Sequence, residues 1–277
     1  MTTTIRLNNG TQIPHIGFGT FPHDGEDSAE PTRHAIEVGY RLIDTALRYE
    51  NERSVGAGIR ASGVTRDEIV VTSKLPGRHH GRDEARVAVR ESLEHLGLER
   101  IDLYLIHWPL PKLDRYVDTW KTLIELRDEG VLGSIGVSNF TSEHLDRLVT
   151  ETGVVPAVNQ IEMHPYFPQV DQRRAHAELG IVTESWSPLG RGGGVLSEPV
   201  VLRAADAHGV TPAQVVLRWH VQLGTVPIPK SRSIERQLEN LAIHGFTLSD
   251  QEVASVTALG RPDGRIAGQD PDAYEEF

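Results

Sequence analysis

Eight short runs rich in Ile, Val and Leu recur along the chain, at residues 15–19, 41–45, 69–74, 101–107, 133–138, 157–162, 181–185 and 225–229. Each is too short for a stable helix and lacks the polar alternation of a half-exposed strand, so each predicts a strand buried on both faces. Between the runs, apolar positions recur at helical spacing, as at 83–96, 114–129, 142–151 and 198–208. Ser142 followed by Glu143 reads as a helix start, and Gly97 and Gly130 read as helix ends. Ahead of the first run, residues 5–7 and 12–13 flank Asn8, Asn9 and Gly10, which predicts an N-terminal hairpin.

Eight strand–helix units in 277 residues match an α/β fold, a (β/α)8 TIM barrel with an N-terminal β-hairpin, in count and size. A doubly wound open sheet has the same alternation. No Gly-x-Gly-x-x-Gly turn follows a strand, however, and no Walker-type phosphate loop is present. The barrel is therefore the expected fold, as one domain spanning 1–277. The glycine run at 190–194 sits between strongly periodic segments and the polar tail at 261–277 ends the chain, so neither reads as an interdomain linker.

Composition narrows the function. Lys and Arg number 28 against 39 Asp and Glu, a formal charge of −11, which argues against a nucleic-acid partner because such binding needs a basic face. The chain has no cysteine, so disulfides, thiolate metal sites and thiol nucleophiles are excluded and no metal site is expected. No run approaches the roughly 18 apolar residues of a membrane span, and the N-terminus has no apolar stretch of signal-peptide length. A cytoplasmic monomer without a membrane partner is expected.

In a barrel, chemistry gathers at the carboxyl ends of the strands. Asp44, Lys74 and His107 each stand at such an end, on the second, third and fourth predicted barrel strands, and Tyr49 follows in the loop after Asp44. Singly, each has an ordinary explanation: a helix cap, a solvated strand end, a hydrogen-bonded core histidine. Together they place a carboxylate, an ammonium, an imidazole and a phenol at one mouth. An unperturbed phenol titrates near ~10 and is a poor acid at neutral pH. A neighbouring Lys74 ammonium, held by Asp44, is expected to lower that value. Tyr49 could then protonate an oxygen that becomes alkoxide as its carbon receives hydride, with a neutral His107 orienting that oxygen.

At these residues the sequence resembles the aldo-keto reductase family. Ile43, Asp44, Thr45 and Ala46 with Tyr49, Asn51 and Glu52 match its motifs, as do Thr72–Leu75, Leu105–Pro109, Gly136–Phe140, Val158–Gln160 and Pro229–Ser231, in order. The likeness runs from about residue 5 to 265 and is nearest to bacterial members of the diketogluconate reductase type. It implies a barrel that binds NADPH in extended form, reduces aldehyde or ketone carbonyls to alcohols, and uses Asp44, Tyr49, Lys74 and His107 as a catalytic tetrad.

The resemblance carries over further positions. Gly19, Thr20 and Phe21 match the segment beside the nicotinamide. Ser138, Asn139 and Gln160 match residues that hydrogen-bond its carboxamide, a group that amides and hydroxyls suit. Trp186 matches a ring stacked on nicotinamide, and Ser187 and Leu189 match the pyrophosphate-covering segment. Lys230, Ser231, Arg236, Glu239 and Asn240 match the adenosine 2′-phosphate motif, with Ser233 where threonine is common and Arg232 replacing a small apolar residue. Cations and hydroxyls at a predicted helix start are also a physically sensible phosphate site.

The substrate pocket is expected to include Phe21, Pro76 and Trp108. Pro76, followed by Gly77, stands where many members carry a tryptophan wall, so a more open mouth is expected unless Trp108 or the C-terminal tail fills the gap. Two other functions compete: a barrel glycoside hydrolase using Glu162 and Glu184 near two strand ends, and a non-catalytic NADPH-binding regulatory subunit. The hydrolase leaves Lys74, Tyr49 and His107 unexplained, and an intact tetrad argues against the subunit.

Overall fold

A computed structural model describes residues 3–21, 28–266 and 268–276. Two short antiparallel strands, β1 (Thr4–Arg6) and β2 (Gln12–Pro14), form the expected hairpin. Eight parallel strands follow: β3 (Phe18–Gly19), β4 (Leu42–Asp44), β5 (Val70–Leu75), β6 (Ile101–Ile106), β7 (Leu132–Ser138), β8 (Val158–Glu162), β9 (Val182–Trp186) and β10 (Val226–Ile228). Each pairs with its sequence neighbour to make one eight-stranded sheet. The sheet closes where the Gly17 and Gly19 N–H groups donate to the carbonyls of Pro227 and Pro229 at 3.0 Å. A Cβ on Gly17 would lie 2.6 Å from Ile228 Cδ1, so glycine permits this close seam.

Among the described residues ten α-helices lie between and after the strands: α1 (Ala29–Val38), α2 (Glu52–Ala61), α3 (Arg82–Leu96), α4 (Tyr116–Asp128), α5 (Ser142–Thr152), α6 (Val170–Leu179), α7 (Pro199–His208), α8 (Pro212–Gln222), α9 (Ile234–Leu241) and α10 (Asp250–Thr257). This is the expected (β/α)8 barrel, with α4 starting later than expected. Asp114 takes a positive φ of 53° and stands outside α4, which begins at Tyr116. Helix α5 opens at Ser142 as expected, and the residue before it, Thr141, is its cap, because Thr141 and His144 exchange the two bonds of a capping box.

The core has an inside and an outside. Within the barrel, Leu42, Leu103, Leu105, Val158, Val182, Val226 and Ile228 pack together, and Leu7 and Ile13 of the hairpin join them. The hairpin turn is pinned beneath the barrel by Asn8 Nδ2, which donates to the Pro156 carbonyl, and by Asn9 Nδ2, which donates to Ser134 Oγ. It plugs the amino end of the barrel, which leaves the carboxyl end for chemistry. Outside, helices cover the other strand faces, where Val71, Tyr104, Ile106, Trp120 and Leu123 lie in one apolar cluster.

Candidate active site

Parallel register brings the tetrad together. Asp44 pairs with Thr72 across β4 and β5, and Lys74 lies two residues further along on the same face. The Lys74 ammonium donates to Asp44 Oδ1 at 2.7 Å and Oδ2 at 2.9 Å, and to the Thr45 carbonyl at 2.9 Å. It also reaches the Tyr49 hydroxyl at 3.4 Å. Lys74 is fully buried, which by itself disfavours the cation; Asp44 and Tyr49 outweigh that burial and hold its pKa above the ordinary value. Lys74 is therefore a charged group in a dry floor.

A single 3-10 turn, Leu47–Tyr49, folds Tyr49 back over the mouth. Its ring lies 5.7 Å from His107 and 4.7 Å from the exposed Phe21. Lys74 lowers the phenol's pKa as expected, but it does not decide the net value. Burial of the hydroxyl is the larger influence, Asp44 and Glu276 push the same way, and the phenol is pushed up to about 12 despite Lys74. Tyr49 therefore holds its proton firmly at neutral pH, as a donor must before it reacts.

His107 follows β6, and its carbonyl accepts from Asn139 Nδ2 at 3.0 Å. Beneath Asp44, Gln160 Nε2 donates to Asp44 Oδ2 at 2.8 Å and to Glu184 Oε2 at 2.9 Å, which turns the other amide atom, Oε1, away from both carboxylates. Burial, then the charge on Asp44, push Glu184 up to about 7 against the opposing pull of Gln160 and Lys74.

A cavity of about 810 Å³ opens above this floor, lined in part by Asp44, Tyr49, His107 and Trp108. Of the expected cofactor positions, Gly19, Phe21, Ser138, Asn139, Gln160, Trp186, Ser187, Leu189 and Lys230 also line it. Asn139, in a left-handed conformation with φ 62°, accepts from Trp186 Nε1 at 2.8 Å and so fixes the indole at the wall. Thr20 does not face the cavity; it is buried, and its hydroxyl donates to the Asp44 carbonyl at 3.0 Å.

The basic segment continues from Lys230 into α9. Ser233 caps that helix by accepting from the Arg236 N–H, and Ser231 Oγ bonds the Ser233 backbone in both directions at 3.2 Å. Arg232 and Arg236 are exposed at this helix start, whereas Glu239 is half-buried and Asn240 is buried. None of Ser231, Arg232, Ser233, Arg236, Glu239 and Asn240 lines the cavity itself.

Pro76, expected in the substrate pocket, does not itself line the cavity. The tail takes that place: Tyr274 packs its ring 4.6 Å from Trp108, and Glu276 Oε2 accepts from the Gly77 N–H at 3.2 Å. The aromatic wall thus comes from Trp108 and Tyr274, and the mouth is not left open. Arg48, Arg191, Tyr274 and Glu276 line the cavity without having been singled out from sequence. Arg191 sits in the glycine run, where its guanidinium lies 5.6 Å from the Phe21 ring centre and 5.7 Å from that of Trp186. Among the described residues no group of His, Asp and Glu is placed to hold a metal ion, and no helix is long and apolar enough to cross a membrane.

The profile of the Aldo/keto reductase family matches residues 15–261. The chain belongs to that family. It is 52% identical over 274 residues to 2,5-diketo-D-gluconic acid reductase B of Corynebacterium sp. (strain SHS752001), covering 99% of this chain and 98% of that one. It is 45% identical to methylglyoxal reductase DkgA of Salmonella typhimurium, covering 98% of each. Among solved structures, a mutant of Gox0644 in complex with NADPH superposes with a TM-score of 0.94 at 44% identity, covering 99% of both chains. The Bombyx mori aldo-keto reductase in complex with NADP superposes with a TM-score of 0.90 at 35% identity, covering 100% of this chain and 99% of that one.

The hydrolase alternative fails on placement in this family member. Glu184 is sealed beneath Gln160, and Glu162 is engaged by His164 and the Ile266 N–H; neither carboxylate lines the cavity.

Proposed function

We propose that this single-domain chain reduces small polar aldehydes and ketones with NADPH, with Tyr49 as the proton donor. The observation that carries this reading is the Lys74 ammonium, buried between the Asp44 carboxylate and the Tyr49 hydroxyl on the cavity floor. NADPH, when bound, supplies the hydride. The donor set fits it: Trp186 offers a ring face on the cavity wall, Ser138, Asn139 and Gln160 offer hydroxyl and amide partners for a carboxamide, and Lys230 begins a cationic rim suited to phosphate. Ser231, Arg232, Ser233 and Arg236 continue that rim and would hold the adenosine 2′-phosphate.

The chain's own chemistry is a proton transfer. A carbonyl oxygen placed between Tyr49 and His107 gains negative charge as its carbon is reduced. Tyr49 gives its proton to that oxygen, and the phenolate left behind is stabilised by Lys74, whose charge Asp44 holds in place. His107 orients the oxygen by hydrogen bonding. Two relatives are named for dicarbonyl compounds, a diketo sugar acid and methylglyoxal. The polar rim of Arg48, Arg191 and Glu276 supports substrates of that size and polarity here. The protein works as a cytoplasmic monomer.

The test follows NADPH oxidation with 2-oxoaldehydes, keto sugars, aromatic aldehydes and steroids. At least one small dicarbonyl is expected to match or exceed every steroid in kcat/KM. Binding of NADPH without turnover of any carbonyl would favour the regulatory-subunit reading.

A further inference from the structure

Glu184 is a buried carboxyl that the proton transfer above does not use, and it bonds the amide of Gln160 beneath the cavity. We propose that Glu184 is a positioning residue for the nicotinamide carboxamide. By taking one N–H of Gln160 it keeps that subsite without a spare donor, so the subsite recognises a ligand only through the ligand's own N–H. The proposal rests on the NADPH reading above and deepens it by naming what fixes the carboxamide's orientation.

Strand pairing sets the contact. Gln160 of β8 and Glu184 of β9 are direct partners in the parallel register, and both are buried. Asp44 reaches the same amide from β4, across the barrel. Gln160 Nε2 therefore meets a carboxyl on each side, Asp44 Oδ2 at 2.8 Å and Glu184 Oε2 at 2.9 Å. An amide nitrogen carries two hydrogens, and both are spent. The reversed amide would set its oxygen against the Asp44 carboxylate, which has no hydrogen to offer. The orientation is forced, and Oε1 is the amide atom left for the cavity that Gln160 lines.

The two neighbouring polar residues obey the same accounting. Asn139 Nδ2 gives its hydrogens to the His107 carbonyl and to Ser138 Oγ, each at 3.0 Å. The Ser138 hydroxyl gives its single hydrogen to the Gln160 carbonyl at 2.8 Å. Every side-chain hydrogen that these three residues could donate is thus engaged within the protein. What they offer a ligand is lone pairs, on Gln160 Oε1, on Ser138 Oγ and on Asn139 Oδ1, which takes the Trp186 N–H and keeps a second pair. Such a set suits the NH2 end of a primary carboxamide and gives nothing to a group without N–H.

Glu184 is the member of this set whose loss returns a donor. Asp44 meets only one N–H of Gln160, and both its oxygens already accept from Lys74. Without Glu184 the second N–H of a buried amide has no partner, a costly state that the amide relieves by turning that hydrogen toward the cavity. The charge on Glu184 is immaterial to this role. A carboxylate and a carboxylic acid both keep an oxygen that accepts from Gln160 Nε2.

The experiment is a calorimetric titration of NADPH and of its reduced 3-acetylpyridine analogue, in which a methyl group replaces the carboxamide NH2. Wild type is expected to bind NADPH about tenfold tighter, because the analogue has no N–H for the acceptors. In Glu184→Leu the ratio should fall to about threefold or less, as the analogue's carbonyl gains a donor from Gln160. Glu184→Gln, whose side-chain oxygen still accepts from Gln160, should keep the wild-type ratio within about twofold. A merely structural role would weaken both nucleotides alike. A wild-type ratio near one, or a leucine variant that keeps the full ratio, overturns the proposal. Hydrogen exchange of the Gln160 side-chain amide, read by NMR in wild type without nucleotide, needs no variant. Both protons should exchange at least about a hundredfold more slowly than those of an exposed glutamine, and one fast proton overturns the proposal. If wild type binds neither nucleotide, the NADPH reading fails, and the exchange measurement still decides whether Glu184 holds Gln160.

Discussion

Lys74 Nζ and Asp44 Oδ1 lie 2.7 Å apart in a floor where the lysine is fully buried. Removing one partner strands the other charge out of water. Asp44→Ala is expected to lower stability by about 3–5 kcal/mol, the usual result of breaking a buried pair. Asp44→Leu combined with Lys74→Met should recover much of that loss while leaving the protein inactive. Urea denaturation of wild type and the two variants checks both statements, and an Asp44→Ala protein as stable as wild type would refute them.

Tyr49→Phe removes the proton donor and little else. Turnover is expected to drop by about two to four orders of magnitude, the span typical of a lost general acid. NADPH affinity should stay close to wild type, because the lost interaction belongs to the transition state. Near-normal turnover would require another donor.

The buried carboxyl of Glu184 gives a pH signature in stability. Its folded pKa of about 7 lies above the ordinary 4.5. Between those values the folded chain keeps a proton that the unfolded chain has released, so stability falls as pH rises through this window. The slope from this group is up to about 1.4 kcal/mol per pH unit. Glu184→Gln should flatten it, so the variant gains on wild type from pH 5 to pH 8 in parallel denaturation curves. A constant difference across that range would show that Glu184 is already ionised at the lower pH.

Cofactor choice rests on the rim at Lys230 and α9. Each charge-assisted hydrogen bond to a phosphate is worth roughly 1.5–3 kcal/mol, reduced here because Lys230 and Arg236 are exposed. Replacing both with neutral residues should raise the Kd for NADPH at least tenfold and move that for NADH much less. Added salt should weaken NADPH more than NADH in wild type. Equal wild-type affinities for the two would remove the 2′-phosphate assignment and leave the tetrad untouched.

The tetrad was legible because a parallel barrel turns linear spacing into shared position: residues at successive strand ends meet at one rim. The side chain of Thr20 was not legible, because a motif names a segment and not the direction of each side chain, and its hydroxyl faces the Asp44 backbone. Glu276 and Tyr274 were hidden for a different reason. The tail has no periodicity, and only tertiary contact with Gly77 and Trp108 gives it a place. The Thr141 cap escaped notice because His144 fills the position where Glu or Gln is the usual signal. The pull of Lys74 on the phenol was legible, but its net pKa was not, because a sequence shows a neighbouring charge more readily than it shows the loss of solvent.

The seam at Gly17 and Gly19 joins the first barrel strand to the last. A growing chain emerges with Asp44, Tyr49, Lys74 and His107 long before Pro227 and Pro229 exist, so the edge of β3 must wait unpaired through most of synthesis. An interrupted translation product carries every tetrad residue on an unclosed sheet, without the Lys230 rim or the tail. The rim that Asp44, Tyr49, Lys74 and His107 share is therefore set only when the last strand has met the first.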